Sequence, residues 1–164
     1  MASGYDSFPA SIYAQSVLAP DLDIYRQHFS APLHAINLSH GVMLAERGLL
    51  EGGDASAILE ALISIDQTRP WADRPFDGSF EDLFFLIEQE LGRQAGEDMA
   101  GKLHMGRSRN DMEHTMFRIQ LRDRLLGLLE RYSVMADQFL ARAEMGIDET
   151  VLLYTHGQPA QVLS

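Results

Sequence analysis

Cysteine is missing from this sequence altogether. The chain therefore forms no disulfide bonds and has no thiolate chemistry, a composition typical of proteins in a reducing cytoplasm. Long apolar runs are missing too, since none approaches the ~20 residues that a membrane span needs. Residues 1–6 lack the basic region and the apolar core of a signal peptide, so we predict a cytoplasmic protein.

Basic residues are scarce. Lysine and arginine together number 13 against 24 aspartates and glutamates, which gives a formal net charge of −11. A chain this acidic is a poor match for a nucleic-acid backbone or an anionic membrane, and we expect neither as a partner. Hydrophobic residues make up 46% of the 164 positions, enough for a packed core and too many for a wholly disordered chain. The length is that of one ordinary domain.

Apolar residues recur at helical spacing through most of the sequence, which predicts an all-α fold. The predicted helices span residues 21–28, 32–47, 55–67, 79–94 and 111–145. We expect Asp54 to cap the third helix, and Ser79 with Asp82 to form a capping box at the fourth. Residues 1–103 are predicted to form an N-terminal helical domain, and residues 104–164 the start of a central helix-bundle domain.

The last predicted helix carries two adjacent apolar stripes. One is a heptad seam made of Leu121, Leu125, Leu128, Tyr132, Met135 and Phe139. The stripe beside it consists of Leu126, Leu129, Ala136, Leu140 and Ala143. Two stripes indicate a helix that several neighbours cover, as in a bundle. Roughly 35 residues of helix span about 50 Å, whereas a lone domain of this size has a radius of gyration of about 15 Å. We therefore expect something else to cover the seam.

The segment before the long helix contains the clearest site motif. Residues 101–111 read Gly-Lys-Leu-His-Met-Gly-Arg-Ser-Arg-Asn-Asp. A helix start offers unpaired N–H groups and partial positive charge, and with Arg107 and Arg109 it can bind a carboxylate or phosphate. Ser108 or Asn110 can cap the helix, with an acidic residue three positions later completing a capping box. A glycine-containing turn with a solvated basic patch is an equally good interpretation of these residues.

Two blocks of the sequence resemble argininosuccinate lyases, within the fumarase/aspartase superfamily. Lys-Leu-His-Met-Gly-Arg-Ser-Arg-Asn-Asp at 102–111 is similar to the family signature, and Tyr-Thr-His-Gly-Gln-Pro-Ala-Gln at 154–161 to its Thr-His segment. A weaker match is Glu81-Asp82 with Ile87-Glu88. The resemblance implies an N-terminal helical domain leading into a long-helix bundle, and a homotetramer at full length. It also implies an enzyme of arginine biosynthesis that eliminates fumarate from argininosuccinate to give arginine.

The resemblance further implies roles for individual residues. Ser108, Arg109 and Asn110 would contact the substrate. Thr155 would bind the succinyl carboxylate, and His156 would assist proton transfer. When a base removes the proton beside that carboxylate, a dianion forms, and preorganised cations and donors stabilise it. Neither the residues nor the resemblance points to a cofactor or a metal ion.

Other residues have alternative interpretations. Phe8-Pro-Ala-Ser-Ile12 faintly resembles the family's N-terminal substrate loop, in which Ser11 would lie near the succinyl group, but a plain loop or short helix fits too. Arg107 can pair with a surface carboxylate instead of substrate, His104 can be a packing residue, and His114 is expected to be structural. Three histidines recur every six residues, a rotation of ~240°, and are expected to be structural rather than metal ligands. They are His28, His34 and His40.

The sequence departs from the family pattern at several positions. These are Phe84, Met105, Met112, Gly157 and Pro159. An apolar side chain near the pocket could change recognition of the leaving amine while sparing the succinyl clamp. A lyase for another N-succinyl compound therefore stays open, as does a non-catalytic assembly protein on the same scaffold. The family continues with proline after Gln161, so we expect a truncated chain, or one in which a break of the reading frame has added a foreign tail. We expect this chain to be inactive alone, because it lacks the family's downstream catalytic serine and the acidic partner of His156.

Overall fold

The computed structural model describes residues 9–163, which are mostly helical. The elements in chain order are α1 (Ser11–Tyr13), a π-helical turn (Ala14–Leu18), α2 (Ala19–His28), α3 (Ser30–Glu46), α4 (Gly52–Thr68), α5 (Leu83–Ala95), α6 (Glu97–Lys102), α7 (Arg109–Met145), β1 (Val151–Thr155) and β2 (Gln158–Leu163). The predicted all-α class is confirmed, with one small two-stranded sheet added. No helix in the described range combines the length and apolar character that crossing a bilayer demands.

The chain divides into two compact units within α7, one ending at Gln120 and the other beginning at Leu121. The buried core of the described residues lies entirely in the first unit. The domain boundary predicted between residues 103 and 104 stays a prediction.

The core of the first unit forms where the apolar faces of α2 to α5 meet the first turns of α7. Gly41 allows close packing of α3 against α4, because a Cβ there would lie 3.1 Å from the Leu59 side chain. Each large aliphatic side chain buried here contributes roughly 1.5–3 kcal/mol relative to exposure. The most deeply buried are Leu22, Leu33, Leu44, Ile58, Leu62, Ile65, Leu83, Leu86, Leu91 and Leu103.

The start of α4 differs from the prediction. Glu51 occupies the N-cap position without a side-chain cap, so the expected cap at Asp54 is wrong. Asp54 lies in the first turn, where its carboxylate still complements the helix dipole, and it pairs with Lys102. Lys102 ends α6, a short helix that is not among the helices predicted from the sequence.

The start of α5 also differs. The helix begins at Leu83 because Asp82 is its N-cap, and Asp82 Oδ1 accepts a hydrogen bond from the Phe85 N–H at 3.1 Å. The predicted capping box from Ser79 is therefore wrong. Ser79 instead belongs to a turn, in which its N–H donates to Asp77 Oδ1 at 2.9 Å.

The second unit consists of the remainder of α7 and an antiparallel hairpin of β1 and β2. Val151 pairs with Leu163 and Thr155 with Gln158, with a register shift next to Leu153. All the heptad-seam side chains of α7 are exposed, up to 69% at Phe139.

The turn of the hairpin consists of His156 and Gly157. Their φ angles are 49° and 76°, so both lie in the left-handed region. Two central residues with positive φ characterise the type I′ turn, which matches the twist of antiparallel strands. Glycine takes this conformation freely, and histidine is among the few other residues enriched there. The local sequence thus places an imidazole at the tip of the hairpin.

Candidate functional site

A tight turn between α6 and α7 carries the motif found in the sequence. The His104 N–H donates to the Gly101 carbonyl at 3.1 Å, and the Arg107 N–H donates to the His104 carbonyl at 3.4 Å. Gly106 has a φ of 73°, a left-handed conformation that costs glycine no steric strain. This turn sets the residue at which α7 begins and therefore where Ser108 lies.

Ser108 and Asp111 form the capping box at the start of α7. The Ser108 N–H donates to Asp111 Oδ2 at 2.9 Å, and the Asp111 N–H donates to Ser108 Oγ at 3.3 Å. These bonds from Ser108 lower the pKa of the Asp111 carboxyl, which favours its ionised form. Of the caps that the sequence left open, the one from Ser108 is therefore confirmed.

Arg109 opens α7 and lies among three carboxylates. Its guanidinium pairs with Asp82, and it approaches Glu81 Oε1 at 3.6 Å and Glu113 Oε1 at 3.4 Å. Asp82 is 9% exposed at its side chain, whereas Glu81 is 61% exposed. The bond to Asp82 is therefore the shielded one, and the approach of Glu81 is weakened by water.

Two aromatic rings flank the same guanidinium. The Arg109 Cζ lies 5.2 Å from the centre of the Phe85 ring and 5.9 Å from that of Phe84. Both distances fall within the range of a cation–π contact. Asp82 thus joins two helices, because it caps α5 and pairs with the first residue of α7. The start of α5 holds Arg109 in one place.

Arg107 has a different environment although it lies only two residues earlier. Its Nη2 donates to Asn37 Oδ1 at 2.8 Å and lies 3.2 Å from His104 Nδ1. Within residues 9–163 it forms no ion pair with a carboxylate, and its Nε and Nη1 are buried without a hydrogen-bond partner. Burial lowers the pKa of Arg107 to about 10. The alternative of a surface ion pair for Arg107 therefore does not describe its contacts here.

His104 lies between Arg107 and α5. Burial, the Arg107 charge and His40 together lower the pKa of His104 to about 4, so the ring is neutral at pH 7. Its Nδ1 then accepts from Arg107 and its Nε2 carries the proton, 3.5 Å from Glu88 Oε1. The ring also packs against Phe84, with the ring centres 5.1 Å apart. The packing interpretation of His104 matches these contacts.

The remaining residues near the start of α7 differ in accessibility. The side chains of Ser108 and Asn110 are exposed, beside the partly exposed Arg109. Met112 is buried in the core and Met105 is exposed. Three predicted substrate contacts therefore lie together at the start of one 37-residue helix.

The other predicted site residues lie elsewhere in the chain. Ser11 begins α1 and lines a cavity of about 370 Å³ together with Pro9 and Asp77. Phe8, which belongs to the same predicted loop, lies outside the described residues. Thr155 ends β1 and His156 follows it in the turn, both exposed within the second unit.

Asn37 and the double role of Asp82 were not predicted from the sequence. Asn37 is 3% exposed in the middle of α3, and a polar residue on an otherwise apolar helix face was the available signal. Asp82 was expected only to assist a cap at Ser79. Its pairing with Arg109 joins positions 27 residues apart, and no local pattern reports such a contact.

Comparison with known proteins agrees with the resemblance in the motifs. The model of a family described as lyase matches residues 84–164. Argininosuccinate lyase 2 of Agrobacterium fabrum is 40% identical over 159 residues, which cover 97% of this chain and 32% of that protein. Argininosuccinate lyase of Methanosarcina acetivorans is 38% identical over 143 residues, 87% of this chain and 28% of that protein.

A third relative, argininosuccinate lyase of Methanosarcina barkeri, is 39% identical over 127 residues and 77% of this chain. The chain spans about a third or less of the length of these curated relatives. Over nearly its whole length the chain is similar to proteins named argininosuccinate lyase, and residues 84–164 match the lyase family model.

Proposed function

We propose that this chain supplies part of the substrate site of an argininosuccinate lyase, an enzyme that eliminates fumarate from argininosuccinate to give arginine. The observation that carries the proposal is the 40% identity over 159 residues to a protein named for that activity. The arrangement of Ser108, Arg109 and Asn110 at the start of a long helix supports it, because such a start favours anions.

In the proposed reaction a C–N bond breaks after a base removes the proton beside a carboxylate. The carboxylate then takes up a second negative charge, and donors aimed at that charge lower the barrier. Asn110 is exposed and can donate to it, and Arg109 supplies a cation. Ser108 can donate when its hydroxyl turns to the ligand from Asp111 Oδ2, to which it donates here at 2.8 Å. A substrate carboxylate would replace exposed Glu81 beside Arg109, while Asp82 keeps the guanidinium in place.

We assign the remaining contacts to the hairpin and to the first helix. Thr155 binds the succinyl carboxylate and His156 assists proton transfer, because imidazole exchanges protons near neutral pH. The left-handed turn at residues 156–157 presents that imidazole at an exposed tip. We assign Ser11 to substrate binding because it lines a cavity at the start of α1.

The proposed enzyme is a cytoplasmic homotetramer that uses no cofactor or metal ion. The exposed seam of α7 supports the assembly, because a row of large apolar side chains in water favours association. The absence of cysteine fits a reducing compartment. The substrate is a small molecule, and neither nucleic acid nor membrane is a partner.

A chimeric enzyme tests the proposal, because the chain spans about a third of its relatives. This chain replaces the matching segment of Agrobacterium fabrum argininosuccinate lyase 2, and fumarate release from argininosuccinate is measured. We expect turnover, and we expect Arg109→Ala to lower kcat/KM by roughly 100- to 1000-fold, as removal of one oxyanion donor does. Arg109→Lys should also fail, because a point charge does not reproduce the guanidinium fork.

The matched control is a second chimera with the corresponding segment of the Methanosarcina acetivorans enzyme, whose name states the activity. If that control works and the first chimera is inactive, the chain is not an argininosuccinate lyase segment. Fumarate release from another N-succinyl compound alone would favour the related lyase. A folded chimera that is inactive on every such compound would favour the non-catalytic assembly protein. Wild-type turnover after Arg109→Ala would remove Arg109 from the site.

A further inference from the structure

Arg107 is held by the protein itself, in a way that surface arginines are not. Its Nη2 carries two hydrogens, and two acceptors lie within reach of that one atom, Asn37 Oδ1 at 2.8 Å and His104 Nδ1 at 3.2 Å. Asn37 belongs to α3, and it is 3% exposed. Arg107 therefore connects the turn before α7 to the middle of another helix, 70 residues earlier.

This arrangement costs stability. Two nitrogens of the Arg107 guanidinium, Nε and Nη1, are buried without a partner in the described structure. A buried polar group without a hydrogen bond is unfavourable, more so when it is charged. Buried polar groups that bond to several elements can specify one packing arrangement, which an apolar side chain in their place would not do.

The turn is what Arg107 fixes. It lies next to Ser108, and the N–H of Met112 bonds to the Ser108 carbonyl at 3.3 Å in the first turn of α7. His104 continues the connection to α5, because its ring packs against Phe84 with the ring centres 5.1 Å apart. Its buried Nε2 lies 3.5 Å from Glu88 Oε1 without a hydrogen bond. The turn thus contacts α3 through a hydrogen bond and α5 through ring packing.

We infer that Arg107 is a positioning residue, which through Asn37 fixes the turn that presents Ser108, Arg109 and Asn110 to the substrate. The inference rests on the proposed function for the identity of the substrate. The positioning itself is a property of the folded chain and does not depend on the proposed function. Direct contact with the substrate is the competing role, and it predicts a different pattern of mutational effects.

Hydrogen exchange of the 164-residue chain tests the positioning. We compare Arg107→Met, Asn37→Leu and the double variant, and measure exchange of the amides at 105–112 by mass spectrometry. Each single variant should exchange about tenfold faster there, since each removes a buried hydrogen bond. The double variant should exchange no faster than the worse single variant, because both remove the same connection.

Conservative variants keep the test decisive if the apolar variants unfold. Asn37→Asp keeps an oxygen acceptor for Arg107 and should retain the wild-type protection of residues 105–112. Arg93→Met is the matched arginine control, because Arg93 is 71% exposed and, among residues 9–163, its ion pair is with Glu90 on its own helix. It should leave exchange at the turn unchanged. Wild-type protection in Arg107→Met, or equal loss of protection in Arg93→Met, would overturn the inference.

Affinity for fumarate separates positioning from direct contact. In the chimeric enzyme, Asn37→Leu and Arg107→Met should each weaken fumarate binding, whereas Asn37→Asp should keep it. Weaker binding in Arg107→Met alone, with wild-type binding in Asn37→Leu, would mean that Arg107 contacts the ligand itself and would overturn the inference. No fumarate binding in the unmodified chimera would count against the proposed function and leave the exchange result to decide the positioning.

Discussion

Arg107 and Arg109 are two residues apart and have opposite surroundings. Arg109 is partly exposed among three carboxylates, whereas Arg107 is shielded beside an amide and a neutral imidazole. A guanidinium that already faces carboxylates can exchange an exposed one for a ligand carboxylate at little cost. A buried guanidinium bonded to Asn37 serves better as a fixed support. In the proposed site, Arg109 would therefore bind the ligand and Arg107 would position the turn.

Stability in acid should depend on His104. Burial, Arg107 and His40 lower its pKa to about 4, while in the unfolded chain the ordinary value of 6.5 applies. Below pH 6.5, His104 binds a proton in the unfolded state and stays neutral in the folded state. The free energy of unfolding therefore falls as the pH drops from 6.5 towards 4. Urea unfolding at several pH values should show that the free energy of unfolding falls by on the order of 2–3 kcal/mol because of His104.

His104→Asn isolates that contribution, because asparagine still offers Arg107 an acceptor and does not titrate. The variant should lose less stability than wild type between pH 6.5 and 4. The exposed His28 on α2 provides the control, and His28→Asn should keep the wild-type pH dependence. Parallel curves for wild type and His104→Asn would show that His104 is protonated in the folded state, where Glu88 would be its partner.

At the scale of elements, the hairpin depends on its turn. All its residues are exposed within the described structure, so packing adds little, and an isolated two-stranded hairpin is marginal in water. Gly157→Ala places a Cβ at a φ of 76°, which costs about 1–2 kcal/mol. Amides at 151–163 should therefore exchange roughly tenfold faster in this variant.

Two companion variants make the hairpin result specific. His156→Asn should keep the hairpin, because asparagine is preferred at the first turn position, and it removes the imidazole proposed for proton transfer. Gly53→Ala is the control, since Gly53 lies in α4, has no positive φ and leaves open space for the added methyl group. Unchanged exchange at 151–163 in Gly157→Ala would mean that the turn adopts another conformation.

The helices themselves could largely be predicted from periodicity, since α3, α4 and α7 each bury or expose a repeating apolar face. The first residue of each helix was harder to predict. Several side chains near Asp82 can cap a helix, and tertiary contacts decide which of them does. The cluster Ser108-Arg109-Asn110 was visible as a motif. Its supports on α3 and α5 were not, because a sequence does not show which of many carboxylates and amides reach one arginine.

At the scale of the whole molecule, acidic charge and exposed apolar surface oppose each other. A net charge of −11 keeps copies of the chain apart, whereas the seam of α7 favours their contact. Charge repulsion is screened by salt, and apolar burial is not. Raising the salt concentration should therefore shift the balance towards association.

We predict that the chain self-associates at micromolar concentrations through the seam of α7, because Leu128 and its neighbours are about half exposed. Leu128→Lys places a charge in the middle of the seam and should shift sedimentation velocity profiles towards the monomer. Asp137→Asn, on the opposite helix face, changes the net charge by the same amount and should leave association intact. A wild-type chain that stays monomeric across this range, in low and high salt, would mean that the seam is covered in some other way. Equal effects of both variants would assign the association to net charge rather than to the seam.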